Sequence, residues 1–182
     1  IEKYNIHICH NPEFLREKHA LEDMVGMSRV VIGSQDDKDA RKIFHTYNPL
    51  FPNANYIFVD RKTAEMTKYA SNVILAGQVA LANELFKICE IAKIDYNQIK
   101  SALLLDDRIG TNIAVPGHDG DYGFGGKCLP KDLNALIYFA REKGYRPDLF
   151  EEVWRSNQRV RKNQDWNTIP GATSLNRTTK KN

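Results

Sequence analysis

The segment Gly123-Phe-Gly-Gly-Lys-Cys-Leu-Pro-Lys-Asp132 sets a single cysteine, Cys128, between a glycine loop and the start of a helix. Pro130 suits the first helical position, where a missing N–H costs nothing. The residues that follow, Leu133-Asn-Ala-Leu-Ile-Tyr-Phe-Ala-Arg-Glu-Lys143, have the apolar spacing of an amphipathic helix closed by Gly144. A thiol at a helix N-terminus lies in the positive end of the dipole, and Lys127 and Lys131 flank it. Both effects favour the thiolate, the nucleophilic form. The glycines predict a mobile loop whose backbone can come close to a ligand or a neighbouring segment. Asp132 lies one helical turn beyond the thiol, and so near the same site. The plainer readings are a buried cysteine beside a tight turn and an acid placed to cap a helix start.

Three other places carry chemistry. Lys68 and Asn72 are spaced i, i+4 on one face of a helical stretch that is otherwise apolar. An ammonium and an amide donor side by side suit a developing alkoxide or oxyanion, the alternative being an exposed polar stripe. Glu13 follows Pro12 at the end of an expected strand, where α/β sites lie, and a carboxylate there can activate a water. Arg108 has the side chain expected for phosphate or hydroxyl recognition, with a surface ion pair to Asp106 or Asp107 as the competing reading.

Taken in order, Asn11-Pro-Glu-Phe-Leu-Arg-Glu17, Thr63-Ala-Glu-Met-Thr-Lys-Tyr-Ala-Ser-Asn72, Asp107-Arg-Ile-Gly110 and the segment from Gly123 to Asp132 resemble the signatures of the UDP-glucose/GDP-mannose dehydrogenase family. The resemblance runs from about residue 9 to residue 166. It implies an NAD-dependent enzyme that oxidises a nucleotide sugar, most simply UDP-glucose, to the uronic acid. The intermediates would be a cysteine thiohemiacetal and thioester.

By the same resemblance Cys128 is the nucleophile and Asp132 manages protons through a water. Lys68 and Asn72 take oxyanion and water-orienting roles, and Glu13 activates the water that hydrolyses the thioester. Glu17 lies near the site, and the backbone of Phe14, Leu15 and Arg16 grips the nucleotide sugar. Arg108 reaches the partner subunit's substrate, and Phe124 and Gly125, in the loop 117–126, close over the sugar. The resemblance has gaps. The insert Val115-Pro-Gly-His-Asp-Gly-Asp-Tyr122 is longer than in some members, and the family's threonine upstream of the first motif has no counterpart. No strand leads into G-x-G-x-x-G, so the NAD pyrophosphate loop is missing. The chain is therefore expected to be the middle of a longer enzyme and not to turn over alone.

These residues need elements to position them. Ile6-His-Ile-Cys9, Arg29-Val-Val-Ile-Gly33 and Tyr56-Ile-Phe-Val59 read as strands and residues 37–47 as a helix, which predicts a parallel α/β arrangement. One long helix is expected over residues 63–91, roughly 40 Å long. Its apolar positions wrap most of the circumference, so it needs cover on most sides. A second copy is expected to supply it, a homodimer that the resemblance also implies; burial within one subunit is the alternative. Shorter helices are expected at 95–104, 130–143 and 147–163. The fold expected is thus the α/β remnant of a Rossmann-like NAD-binding domain at 1–61, followed by an all-α dimerisation domain at 62–165. The polar composition of 166–182 predicts a disordered tail.

A hydrophobic content of 42% in 182 residues is enough for a core. A net charge of +3 leaves no basic footprint for nucleic acid. No apolar run approaches membrane-spanning length. Three unpaired cysteines, Cys9, Cys89 and Cys128, point to reduced thiols in a cytoplasmic compartment. A metal site at His7, Cys9 and His10 lacks a further ligand cluster, so no metal is expected, and a hydrolase built on Cys128 and His118 lacks an orienting third group. The main alternative function is a non-catalytic module, derived from the same family, that dimerises or binds a partner chain.

Overall fold

The computed structural model describes residues 7–16 and 19–173. The chain divides into two compact units, residues 1–70 and 71–182. Glu17 and residues 174–182 of the expected tail lie outside the described residues, as does Ile6 of the first expected strand.

The first unit opens its regular structure with a short helix, α1 (Ala20–Val25), which the sequence did not announce. Strand β1 (Arg29–Gly33) follows, then α2 (Asp37–Tyr47) and β2 (Asn55–Val59). The two strands pair in parallel, with Arg29 opposite Asn55 and Gly33 opposite Val59, and α2 is the crossover between them. Val30, Val31 and Ile32 are buried in succession, as a strand covered on both faces requires. The strand expected at residues 6–9 is absent among the described residues 7–9. Only His10 pairs, in an isolated antiparallel bridge to Gly33. Gly33 is forced to be glycine by crowding: a Cβ there would sit 2.5 Å from the Ala64 Cβ and 3.2 Å from the His10 carbonyl oxygen.

Helix α3 (Arg61–Ala92) runs through 32 residues, a length of about 48 Å at the helical rise per residue. Asp60 caps its start by accepting hydrogen bonds from the amides of Lys62 and Thr63 at 2.9 and 3.0 Å. Lys93, in the left-handed region, ends it, and the Ile94 amide donates to the Cys89 carbonyl in the 6→1 pattern of a helix C-terminus.

The second unit is helical: the rest of α3, then α4 (Tyr96–Leu103), α5 (Cys128–Glu142) and α6 (Asp148–Val160). One cluster packs Val73 and Ala76 of α3 with Phe124, Leu133 and Ile137, against Phe150, Val153 and Trp154 of α6. A second gathers Ala82, Cys89, Tyr96, Ile113 and Val115, with the Tyr96 hydroxyl donating to the Ile113 carbonyl at 2.8 Å. The tail does not begin at residue 166. A 3-10 turn spans Asp165–Asn167, and its Trp166 is among the most deeply buried side chains, with its ring 5.1 Å from that of Trp154. One indole outweighs the polar composition around it.

Candidate active site

Helix α5 begins at Cys128 itself, two residues before the proline expected to open it. Pro130 is therefore the third helical residue, where its missing N–H is still one of the orphan donors of a helix start. Cys128 is exposed. One turn on, Asp132 is 1% exposed, and it is not a cap. Its carboxylate accepts a hydrogen bond from the Asn72 amide at 2.5 Å and pairs with the Lys131 ammonium. Asn72, buried on α3, thus gives one of its two amide N–H donors to Asp132. A buried carboxylate held by an amide and an ammonium keeps a fixed orientation, which suits a group that must direct a proton or a water.

In the first unit, Lys68 of α3 faces Glu13, with the ammonium 3.5 Å from a carboxylate oxygen. Glu13 is 61% exposed at its side chain and Lys68 only 22%, so the carboxylate is open to water while the ammonium is partly shielded. The second oxygen of Glu13 accepts from the Leu15 amide at 2.9 Å. The Arg16 amide donates to Asp23 at 2.7 Å, and the Arg16 guanidinium forks onto the same carboxylate. Hydrogen bonds from the Arg16 side chain and backbone hold Asp23 down to about 2. The amides of Leu15 and Arg16 are therefore engaged within the protein, which corrects the expectation that they stand open to a ligand. Phe14 lies under two cations: the Arg29 guanidinium at 3.9 Å and the Lys68 ammonium at 5.6 Å.

Arg108 takes the competing reading. Its exposed guanidinium forks onto Asp106 at 2.6 and 2.8 Å, and its side-chain bond holds the Asp106 carboxyl below its usual range. Phe124 is also corrected: its ring is core, and its amide and carbonyl are both bonded to the Asn157 side chain. It offers no group to close over a sugar. Gly125 is pressed from one side, because a Cβ there would lie 2.1 Å from the Arg161 guanidinium. His7 is bonded to Asp39 at 2.6 Å, and among the described residues no three His, Cys, Asp or Glu side chains gather as a metal site. Sequence reading missed Asn83, Asn157, Arg161 and Asp165, all of which bond the glycine loop; Asn83 and Asn157, each a polar residue among the apolar positions of its helix, carried a signal.

Residues 62–159, more than half of the chain, match the model of the UDP-glucose/GDP-mannose dehydrogenase family, central domain. The chain belongs to this family. Residues 1–51 match the family's NAD binding domain. A UDP-glucose 6-dehydrogenase of Bacillus subtilis, TuaD, is 38% identical over 159 residues, which are 87% of this chain and 33% of that protein. A solved UDP-glucose dehydrogenase from the hyperthermophilic archaeon Pyrobaculum islandicum is 35% identical, with a TM-score of 0.74 over 84% of this chain and 34% of the other. A GDP-mannose dehydrogenase from Pseudomonas aeruginosa, solved as a ternary complex, is 32% identical, with a TM-score of 0.53 over the same 84% of this chain and 34% of its own. The chain spans about a third of the length of these relatives.

The dehydrogenase family's cofactor has no pyrophosphate cradle among this chain's described residues. Neither strand-to-helix junction described in the first unit, β1 to α2 or β2 to α3, has G-x-G-x-x-G, and an aspartate caps each helix start: Asp36 accepts from the Lys38 amide at 2.7 Å and Asp60 from the Lys62 amide at 2.9 Å. A carboxylate already occupies the position an anion would need. The α/β unit fits the family's fold without these residues fitting the phosphates of a dinucleotide. Among the described residues no helix is long and apolar enough to cross a membrane.

Proposed function

We propose that this chain is the cysteine-bearing portion of an NAD-dependent nucleotide-sugar 6-dehydrogenase acting on UDP-glucose. The observation that carries this reading is an exposed Cys128 on the first turn of α5, one turn from a buried Asp132 that Asn72 and Lys131 hold in place. Cys128 adds to the aldehyde carbon as its thiol proton passes by way of Asp132 and a water. Bound NAD would supply the hydride acceptor for the alcohol and again for the thiohemiacetal, which raises the cysteine-bound carbon to the acyl level. Glu13, open to solvent and steadied by Lys68, activates the water that releases the cysteine-bound acyl group as the acid. Lys68 and Asn72, on successive turns of α3, counter the negative charge on oxygen. Glu17 and Arg108, with the Phe14 backbone and Gly125, recognise the nucleotide sugar; Arg108 must first leave Asp106. The relatives named for UDP-glucose support that sugar over GDP-mannose, and three unpaired cysteines suit a reducing, cytoplasmic setting.

The partner is a second copy of the chain. Ile74, Leu81, Leu85 and Ile88 lie along one stripe of α3 and are left exposed, which supports a homodimer through this helix. Replacing Leu81 with Glu should shift sedimentation from dimer to monomer; an unchanged dimer would remove the stripe from the interface.

The test is to express the gene's complete reading frame and follow NADH release from UDP-glucose. Cys128→Ser should abolish acid formation. Glu13→Gln should leave added mass on Cys128 that persists through denaturation. Steady-state turnover that survives in either variant would refute the assignment.

A further inference from the structure

Between Tyr122 and Gly126 the backbone is held by side chains from elsewhere in the second unit. The Gly123 amide donates to the Asn83 Oδ1 at 3.0 Å, and the Asn83 amide is itself anchored to the Val79 carbonyl of α3. Asn157 of α6, 1% exposed, brackets Phe124: its Oδ1 accepts from the Phe124 amide at 2.7 Å and its Nδ2 donates to the Phe124 carbonyl at 2.9 Å. Both oxygens of Asp165 lie 3.0 Å from the Gly126 amide. Arg161, buried, donates to the Tyr122 carbonyl, to the Asn163 carbonyl and to Asp119 at 2.6 Å.

The glycines are the other half of this arrangement. Gly123 and Gly126 have φ of 64° and 71°. A Cβ on Gly123 would lie 2.2 Å from the Asn157 Oδ1. The loop is therefore glycine-rich because its backbone takes left-handed turns and because buried polar side chains press on it. Freedom to move is the opposite use of the same residue. Cys128 stands two residues beyond Gly126, so whatever holds Gly126 sets where α5 begins and where the thiol is presented.

We propose that Asn157 and Asp165 are positioning residues for Cys128, clasping the loop into one conformation and so fixing the thiol. The proposal rests on Cys128 being the nucleophile of the reaction assigned above. A pre-set nucleophile avoids ordering the loop at each turnover, and misplacement of a reacting atom by an ångström is costly in rate. Asp165 stands immediately before the segment whose composition reads as tail.

The experiment attaches a trifluoroacetonyl group to Cys128 in a chain carrying Cys9→Ser, Cys89 being buried, and records fluorine spectra with thermal unfolding alongside. The labelled parent should give one narrow line. Asn157→Ala and Asp165→Ala should split the line or broaden it at least about twofold while circular dichroism still shows a folded chain, because each frees backbone groups of the clasp. Asp165→Asn keeps an acceptor for the Gly126 amide and should restore the parent line. Should Asn157→Ala fail to fold, the half-exposed Asp165 decides alone. A lowered melting temperature with an unchanged line in the Ala variants would overturn the proposal, as would a parent line already broad or an Asn variant as broad as the Ala one. The nucleophile reading is scored separately, by native mass spectrometry of the unlabelled protein with the 6-aldehyde of UDP-glucose. A clasp-dependent line without a Cys128 adduct would retain the clasp and discard the nucleophile.

Discussion

Replacing Asn72 with Ala isolates the bond that orients Asp132. The carboxylate is 2% exposed at its side chain, and it loses a donor at 2.5 Å while keeping the Lys131 ammonium. Water cannot easily replace the amide at a site so shielded. A hydrogen bond to a charged group contributes about 1.5–3 kcal/mol, and the partner left behind adds its desolvation cost. A loss of about 2–3 kcal/mol is expected, a fall of roughly 5–10 °C in melting temperature for a chain of this size. Both tryptophans, Trp154 and Trp166, lie in the unit that contains this pair, so urea unfolding followed by tryptophan fluorescence reports on the right part of the chain. A double-mutant cycle with Asp132→Ala separates the pair from the packing of each side chain. A coupling of at least about 1.5 kcal/mol is expected, and one below about 0.5 kcal/mol, the range of independent sites, would refute the claim that Asn72 holds Asp132.

Gly33→Ala should cost about 1–3 kcal/mol, because the added methyl overpacks against Ala64 and the His10 carbonyl, and far-UV circular dichroism of urea unfolding would register it. Trp166→Ala should cost about 3–5 kcal/mol by urea titration, as for any fully buried aromatic; an effect as small as that of a surface residue would return this segment to the tail. Asp119→Asn should lower the melting temperature most at neutral pH. Burial by itself pushes the Asp119 carboxyl up, but the Arg161 guanidinium and backbone donors more than offset it, so the net shift is downward. The stabilisation is then complete above the ordinary carboxylate range and lost as pH falls through the lowered value, so the gap between parent and variant should close in acid. A gap that widens in acid would reverse the sign of that argument.

What the sequence could and could not reveal follows from the range of the interactions involved. Strand β1 was legible because three successive buried aliphatics between polar punctuation admit few other readings. The long helix was legible because 32 residues without proline sustain a single period. Cys128 stood out because glycines, lysines and a proline surround it within ten residues. The pairing of Asn72 with Asp132 spans sixty positions, and no local pattern announces a bond of that separation. Arg108 shows the reverse failure, since an acid two residues away, Asp106, claims its guanidinium.

The glycine loop marks the deepest limit. Glycine permits motion, and it also permits close contact and left-handed turns. Sequence alone does not separate these uses, because the deciding atoms belong to Asn157, Arg161 and Asp165, more than thirty residues downstream. Once those side chains are seen against the loop, its composition argues for a fixed cradle under the thiol. The part of the site that reads as most flexible is then the part most thoroughly bonded, and a search for motion in this protein belongs elsewhere. The better place is Arg108, whose exposed ion pair must open before the guanidinium can meet a phosphate. An ion pair so exposed is held weakly, and a charged substrate can offset its opening on binding.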